Sequence, residues 1–352
     1  MKKAEHVVSI RQNRTILFSL FSPGSPLSWR SGLAALAFLF TLCATVTATA
    51  QTPAYPTKPI RFLVGFAPGG AADYVARVIS DPLSKALGQT VIVDNRAGAG
   101  SSIAADLAAK AAPDGYTILL ASPSSISVNP ALNPKLTYSA KDLTPVSKVT
   151  ASPLVIAVNA TSGIESIQDL IEKAKASPGK LNYATSGNGS APHLAAALFM
   201  QTTGVDMMHI PFKGGSLAIQ SVAAGDTQLT FGTPPSVLPM VQSGRLKAIG
   251  VSWENGTDLV PGVPGMKQAG LPGYSLDFWY GIFVPAGTPR AVIEKLFETI
   301  KATMLLPNVK AALAREGTAV SLSESPEAFA AFLHEDAKFW IKLVKDAGAN
   351  IN

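Results

Sequence analysis

A chain of 352 residues with 29 basic against 23 acidic residues and one cysteine is long enough to bury a large core and excludes a disulfide framework or a thiolate metal site. Five of the basic residues, Lys2, Lys3, Arg11, Arg14 and Arg30, crowd into the amino terminus beside a single acidic residue, Glu5. The rest is close to neutral, which excludes the broad basic face that nucleic acid requires.

The amino terminus reads as an export signal. After the basic residues an uncharged apolar stretch runs from Gly32 to Val46 and ends in Ala48-Thr49-Ala50, a small-x-small triplet of the kind signal peptidase cleaves after. That stretch is shorter than the roughly 20 apolar residues needed to span a bilayer. Residues 1–50 are therefore expected to be removed, leaving a periplasmic chain that begins at Gln51. Cys43 follows Leu42, where lipoprotein processing wants a small residue, and it would leave with the signal. A second apolar patch at Ile16 to Phe21 leaves the true translation start open.

Beyond the signal, β-branched runs alternate with helical patterns, which predicts an α/β fold of mostly parallel sheet. Ile60 to Phe66 is the first strand. It enters Ala67-Pro68-Gly69-Gly70, after which Val75, Val78, Ile79, Leu83, Ala86 and Leu87 mark one helical face, stopped by Gly88. Pro82, lacking a backbone donor, should kink or break the last turns. Val91 to Val93, a helix at Ser101 to Ala111, the turn Pro113-Asp114-Gly115 and a strand at Thr117 to Ala121 complete a first series. A second opens at Leu154 to Val158 and continues with a helix capped by Ser166 and Asp169. Its strands are Leu181 to Ala184, Met207 to Ile210, Thr227 to Phe231 and Leu246 to Val251, with helices starting near Pro192, Ser216 and Pro234. Trp253 to Tyr274 is a long Gly- and Pro-rich return loop before the apolar strand Leu276 to Val284. Helices follow at Pro289 to Met304, Val309 to Arg315 and Pro326 to Ala347.

Two chain crossings, near Val146 to Ser152 and near Leu276 to Val284, predict a clamshell of two lobes: residues 55–153 with 276–352, and residues 154–275. Ligands bind at strand carboxyl ends between such lobes. Each lobe has a Gly- and Ser-rich turn there. One is Phe66-Ala67-Pro68-Gly69-Gly70 with Asp73 just inside the helix; the other is Thr185-Ser186-Gly187-Asn188-Gly189-Ser190 followed by His193. Such turns offer free N–H groups and the positive end of a helix dipole to an anion. Neither contains a lysine or arginine. The pair predicts capture of a small carboxylate by neutral donors, with closure of the lobes reported by Trp279 on the return strand.

Other patterns fail. Gly98-Ala99-Gly100 lacks the third glycine of a dinucleotide fingerprint and reads as a structural turn, and no lysine follows Gly69-Gly70 as in a nucleotide loop. Gly214-Gly215-Ser216 lacks the last glycine of a hydrolase elbow. His193, His209 and His334 are too irregularly spaced for a metal, and His209 reads as a core histidine. Asp73 and Arg77 stand four apart on one helix and are expected to pair. Lys213 reaches either the cleft or solvent. No cofactor and no metal are expected.

These residues carry a resemblance. Tyr55-Pro56-Thr57-Lys58-Pro59-Ile60-Arg61, the Phe66 to Asp73 turn, Asn95-Arg96-Ala97-Gly98-Ala99-Gly100 and Ala112-Pro113-Asp114-Gly115-Tyr116 are similar to the Bug family. So are Pro178-Gly179-Lys180-Leu181-Asn182-Tyr183, Ser186-Gly187-Asn188-Gly189-Ser190, Phe212-Lys213-Gly214-Gly215, Ala269-Gly270-Leu271-Pro272-Gly273-Tyr274 and Pro285-Ala286-Gly287-Thr288-Pro289. The resemblance implies a type II periplasmic binding fold and a solute receptor, not an enzyme, that delivers a tricarboxylate, dicarboxylate, amino acid or aromatic acid to a tripartite tricarboxylate transporter. It implies large and small integral membrane subunits as partners and a monomeric receptor. The positions it marks are Phe66, Ala67, Gly70 and Asp73; Ser122 and Ser124; Thr185 to Ser190 with His193; and Thr233. Gly232 departs from it, standing where many members carry an acidic residue, so the resemblance implies nothing here about recognition of a ligand amino group. Two alternatives stay open: a receptor that signals ligand state to a membrane partner, and a hydrolase built on Ser190 or Ser216.

Overall fold

The computed structural model describes residues 55–133 and 135–346; the export signal and its cleavage after Ala50 lie outside the described residues. The chain opens with β1 (Ile60–Val64), α1 (Ala71–Leu87), β2 (Val91–Asn95), α2 (Ser102–Ala109) and β3 (Thr117–Ala121), a run in which β1 pairs in parallel with β2 and β3. A π-helical turn at Ser124–Val128 and the single turn α3 (Asn129–Leu132) lead to β4 (Leu143–Ser152). The middle of the chain is β5 (Val155–Asn159), α4 (Ile167–Ala176), β6 (Asn182–Thr185), α5 (Ala191–Thr203), β7 (Met208–Pro211), α6 (Gly215–Ala224), β8 (Leu229–Gly232), α7 (Pro234–Gln242) and β9 (Leu246–Val251). It closes with β10 (Phe278–Pro285), α8 (Arg290–Met304), α9 (Pro307–Arg315), β11 (Ala319–Val320) and α10 (Pro326–Asp346).

These strands make two mixed sheets, a six-stranded one ordered β11-β4-β10-β3-β1-β2 and a five-stranded one ordered β7-β6-β8-β5-β9. The return strand β10 is inserted antiparallel between β3 and β4. Every residue of β10 is buried, because helices cover both faces, and its side chains divide by the two-residue period of a strand. Phe278, Tyr280, Ile282 and Val284 enter one core; Trp279 and Phe283 enter another with Phe329 of α10.

The first helix shows how local pattern and packing decide an element together. Val75, Ile79, Leu83 and Leu87 form its buried stripe, and Gly88 ends it in the left-handed conformation at φ 68°. Pro82 does not break it: the helix runs on to Leu87. Burying Leu83 and Leu87, at about 1.5–3 kcal/mol per large apolar side chain, offsets the roughly 3 kcal/mol that an interior proline costs. The second helix is shorter than its alanine-rich pattern predicts, spanning Ser102–Ala109 behind a 3₁₀ turn at Ala99–Ser101.

The chain passes between the sheets twice, from β4 into β5 and from β9 through the long loop into β10. Ser252 clasps the two passages. Its Oγ accepts the N–H of Leu154 at 2.8 Å and donates to the carbonyl of Leu276 at 2.6 Å, while its N–H donates to Leu154 and its carbonyl accepts from Leu276.

Candidate functional site

The turn after β1 is built around Asp73. Its carboxylate is buried and accepts the N–H of Gly69 at 3.0 Å and Nε of Arg77 at 2.9 Å. Burial alone would raise the Asp73 carboxyl, but these bonds outweigh it and hold the group below the usual carboxylate range. The charge is spent on holding the turn, in the pairing with Arg77 that the four-residue spacing predicts. Gly70 caps α1 in extended conformation, and the N–H of Ala71 donates across the cleft to Ser236 Oγ at 3.2 Å.

The turn after β6 is tied from beneath by two histidines. Thr185 Oγ1 accepts the N–H of Gly187 at 3.2 Å and pairs with His209 Nε2 at 2.6 Å. Gly189 donates its N–H to His193 Nδ1 at 3.2 Å. The two imidazoles stack at 4.1 Å with an interplanar angle of 7°, and Tyr183 stacks on the other face of His209 at 5.0 Å. Burial pushes His193 down to about 4, and burial together with the neighbouring His193 pushes His209 down to about 3, so both rings are neutral at neutral pH. His209 is thus a hydrogen-bonded, half-buried histidine.

Two cavities lie between the sheets and share Phe66 and Ser186. The smaller, of about 30 Å³, is lined by the first turns of four helices: Gly70, Ala71 and Ala72 at α1, Ala191 and Pro192 at α5, Gly215 and Ala218 at α6, Thr233 and Ser236 at α7. First-turn N–H groups have no carbonyl within their own helix, so Ala72, Ala191, Gly215 and Ser216 present donors around this point. In α7 prolines at 234 and 235 remove those donors, and the helix contributes the hydroxyls of Thr233 and Ser236 and its dipole instead. Ser124, Phe278 and Tyr280 close the chamber from the six-stranded half. Its free volume is that of about one water because the halves touch. Besides the Ala71–Ser236 bond, Ser216 Oγ donates to the carbonyl of Pro68 at 3.3 Å, and a Cβ placed on Gly70 would lie 3.8 Å from the nitrogens of Gly215 and Ser216.

The larger cavity, of about 360 Å³, is lined by Gly65, Phe66, Gly98 to Ser102, Asn129 and Asn133 on one side and by Ser186, Gly187, Asn188 and Pro211 to Lys213 on the other. Among the described residues no aspartate or glutamate lines either cavity, and Lys213 is the one cation that does. Among the described residues no cluster of His, Cys, Asp and Glu could hold a metal ion, and no helix is long and apolar enough to cross a membrane.

The residues marked in the sequence fall into three places. Phe66, Gly70, Ser124, Ser186 and Thr233 line the smaller chamber; Phe66, Ser186, Gly187 and Asn188 line the larger one. Ala67, Asp73, Ser122, Thr185, Gly189, Ser190 and His193 line neither. Gly232 lines the smaller chamber, and a Cβ there would meet Val237 Cγ2 at 2.5 Å, so no side chain fits without a shift. The structure adds Gly215, Ser236, Thr230, Phe278 and Tyr280 to the smaller chamber, and the Gly98 turn with Asn129 to the larger. Gly215 and Ser236 follow strand ends just as the marked turns do, and that was the signal available for them. Trp279 does not face the cleft: it is 1% exposed in the core, and its Nε1 donates to Asp336 at 3.0 Å.

Two sheets whose strand ends face each other across two cavities, the smaller of them ringed by helix amino termini, define a periplasmic-type solute-binding protein. The chain belongs to the tripartite tricarboxylate transporter receptor family, TctC, whose model matches residues 75–349. It is 36% identical to the UPF0065 protein in the tcbD-tcbE intergenic region of a Pseudomonas species, over 87% of this chain and 91% of that protein. It is 34% identical to protein BugT of Bordetella pertussis, over 91% of this chain and 98% of that protein. A solved periplasmic transporter superposes with TM-score 0.81 at 37% identity, covering 85% of this chain and all of its own (100%). An R. palustris protein with adipate gives TM-score 0.81 at 30% identity over 84% of this chain and 99% of that one. MatC from Rhodopseudomonas palustris with bound malate gives 0.77 at 29% identity over 82% and 100%. The family consists of periplasmic binding proteins, not enzymes, as the Bug resemblance implies.

Proposed function

We propose that this protein captures a small carboxylate in the smaller chamber, closing its two halves over it, and presents the loaded form to the membrane subunits of a tripartite tricarboxylate transporter. The observation that carries this reading is the convergence of four helix amino termini on one chamber that has, among the described residues, no carboxylate in its walls. Each hydrogen bond to an ionised group contributes about 1.5–3 kcal/mol, so four donors, offset by ordering, reach the roughly 8 kcal/mol of micromolar binding. Adipate and malate in the related structures support the ligand class. Gly232 leaves no counter-charge for an amino group, which favours plain organic acids over amino acids. Residues 55–153 with 276–352 form one rigid lobe and 154–275 the other, hinged at the Ser252 clasp, and the mature chain starts at Gln51 after export.

Calorimetry with adipate, malate and their diamides tests the reading. Binding of the acids with no measurable binding of the diamides is expected. Diamides that bind as tightly as the acids would overturn it.

A further inference from the structure

Eight large apolar side chains stand exposed among the described residues, and five of them gather on two matching units. In the six-stranded half the unit is the edge strand β2 with helix α2, which carry Ile92, Ile103 and Leu107. In the five-stranded half it is the edge strand β7 with helix α6, which carry Met208 and Leu217. Single exposed apolar residues are ordinary on a protein surface, whereas gatherings of them mark contact surfaces. The turn that joins strand to helix in each unit walls the larger cavity, Gly98 to Ser102 in one and Pro211 to Lys213 in the other.

Strand register puts each set of residues on one side of its sheet. Ile92 is two residues from Asp94, which pairs with Leu63, and Leu63 lies in one core cluster with Ala104, Ala105 and Ala108 of α2. Ile92 therefore shares the face that α2 covers and stands at its edge, while Ile103 and Leu107, four apart, are exposed together on the helix. Met208 is likewise two residues from Ile210, which pairs with Ala184, and Ala184 lies in one core cluster with Ala218, Ile219 and Val222 of α6. Between β7 and α6 runs a groove of about 480 Å³ with Ile210, Phe212 and Leu217 in its walls, and Phe212 also lines the larger cavity. The halves touch at this mouth, since a Cβ on Gly100 would come within 2.7 Å of the carbonyl oxygen of Asn188. Only while they touch do the two units flank one opening.

At the mouth the uncompensated charge is positive. Asp94 is engaged by Arg61 and Arg96, Asp106 is engaged by Lys110, and Lys213 makes no ion pair with any described residue. Among the described residues Asp226 is the one carboxylate that lines the groove. Extracytoplasmic segments of membrane proteins are poor in Lys and Arg, so such a segment meets this mouth without like-charge repulsion and can cover its apolar side chains. We propose that the two units together are the docking face for an extracytoplasmic segment of the transporter's membrane subunit, complete only while the halves are closed over ligand. This rests on the proposed function and adds to it which surface meets the membrane subunit. A partner that touches both units binds the closed form better than the open one, and by that difference it tells loaded receptor from empty.

The test measures uptake of labelled adipate and malate by cells of the source organism that lack the gene and carry it back as wild type or variant, beside calorimetry and thermal melts on the purified proteins. Leu107→Glu and Leu217→Glu each charge one unit at an exposed position outside both cavities. Each should bind acid within about twofold of wild type, as exposed substitutions do, and lower uptake at least about tenfold, as loss of a central interface contact does. Leu305→Glu and Phe339→Glu, which charge exposed apolar residues elsewhere, should keep uptake within about twofold. Ile92→Glu and Met208→Glu replace a helix variant that fails to fold. Full uptake with either unit charged, or an equal loss in Leu305→Glu or Phe339→Glu, would overturn the docking face while leaving the carboxylate receptor standing. So would a wild type that binds acid and does not restore uptake. A wild type that binds neither acid would remove both.

Discussion

The backbone N–H of Ala71 donates to Oγ of Ser236 at 3.2 Å, joining the first turn of α1 to the first turn of α7 across the cleft. Because this bond links the two halves, it contributes to their closure more than to the folding of either. Ser236→Ala removes it at a net cost of about 1 kcal/mol, which predicts roughly fivefold weaker carboxylate binding with thermal stability nearly unchanged. Calorimetry beside thermal melts checks this, and an equal loss in both would make the bond purely structural.

Gly70 has extended backbone, and its missing Cβ would point at the amides of Gly215 and Ser216. In Gly70→Asp the new carboxylate would sit where the ligand's is proposed to sit. Binding should be lost while the melting temperature holds or rises. Gly88→Asp, in the left-handed cap with nothing within 4 Å, should cost about 1 kcal/mol of stability and leave binding untouched. Calorimetry on both folded variants distinguishes the outcomes.

The stacked histidines set a pH dependence with a definite sign. His193 ionises near its ordinary 6.5 when unfolded but is pushed down to about 4 by burial when folded. The unfolded chain therefore takes up the proton first, and this contribution to stability is complete above about 6.5 and is lost as pH falls toward 4. Asp336 acts in the opposite sense: burial raises it from 3.8 to about 6 despite hydrogen bonds from Trp279 and Trp340, so its contribution grows as pH falls from 6 to 4. Denaturant titrations from pH 7 to 4.5 should accordingly show a steeper acid loss in Asp336→Asn. His193→Gln should be shallower by up to about 1.4 kcal/mol per pH unit, one proton's worth.

Closure should be reported by Trp253, whose Nε1 donates to Asp277 at 3.2 Å beside the Ser252 clasp. Trp253→Phe is expected to abolish most of the ligand-induced fluorescence change. Trp279→Phe should instead lower stability and keep the change, since Trp279 packs between Phe329 and Phe332 in the core.

The order of strands and helices was legible because each element carries its own period and its own stop, as Gly88 does for α1. Sheet order was not. Nothing local in Phe278 to Pro285 says that β10 enters between β3 and β4; that follows from which faces remain to be covered. The same limit applies to the site. Glycine- and serine-rich turns at strand ends marked Phe66 to Gly70 and Thr185 to Ser190, yet the direction of each N–H depends on partners far along the chain. Gly189 gives its N–H to His193, whereas Gly215, passed over as half of a failed elbow, lines the smaller chamber.

The central claim is that neutral donors at converging helix termini hold the ligand's carboxylate in the smaller chamber. The most direct measurement is a crystal structure of the protein saturated with the best-binding dicarboxylate. The account predicts one carboxylate within about 2.7–3.1 Å of the N–H groups of Gly215 and Ser216, with no cation in contact with it. A carboxylate paired with Lys213 while the smaller chamber holds only water would contradict it.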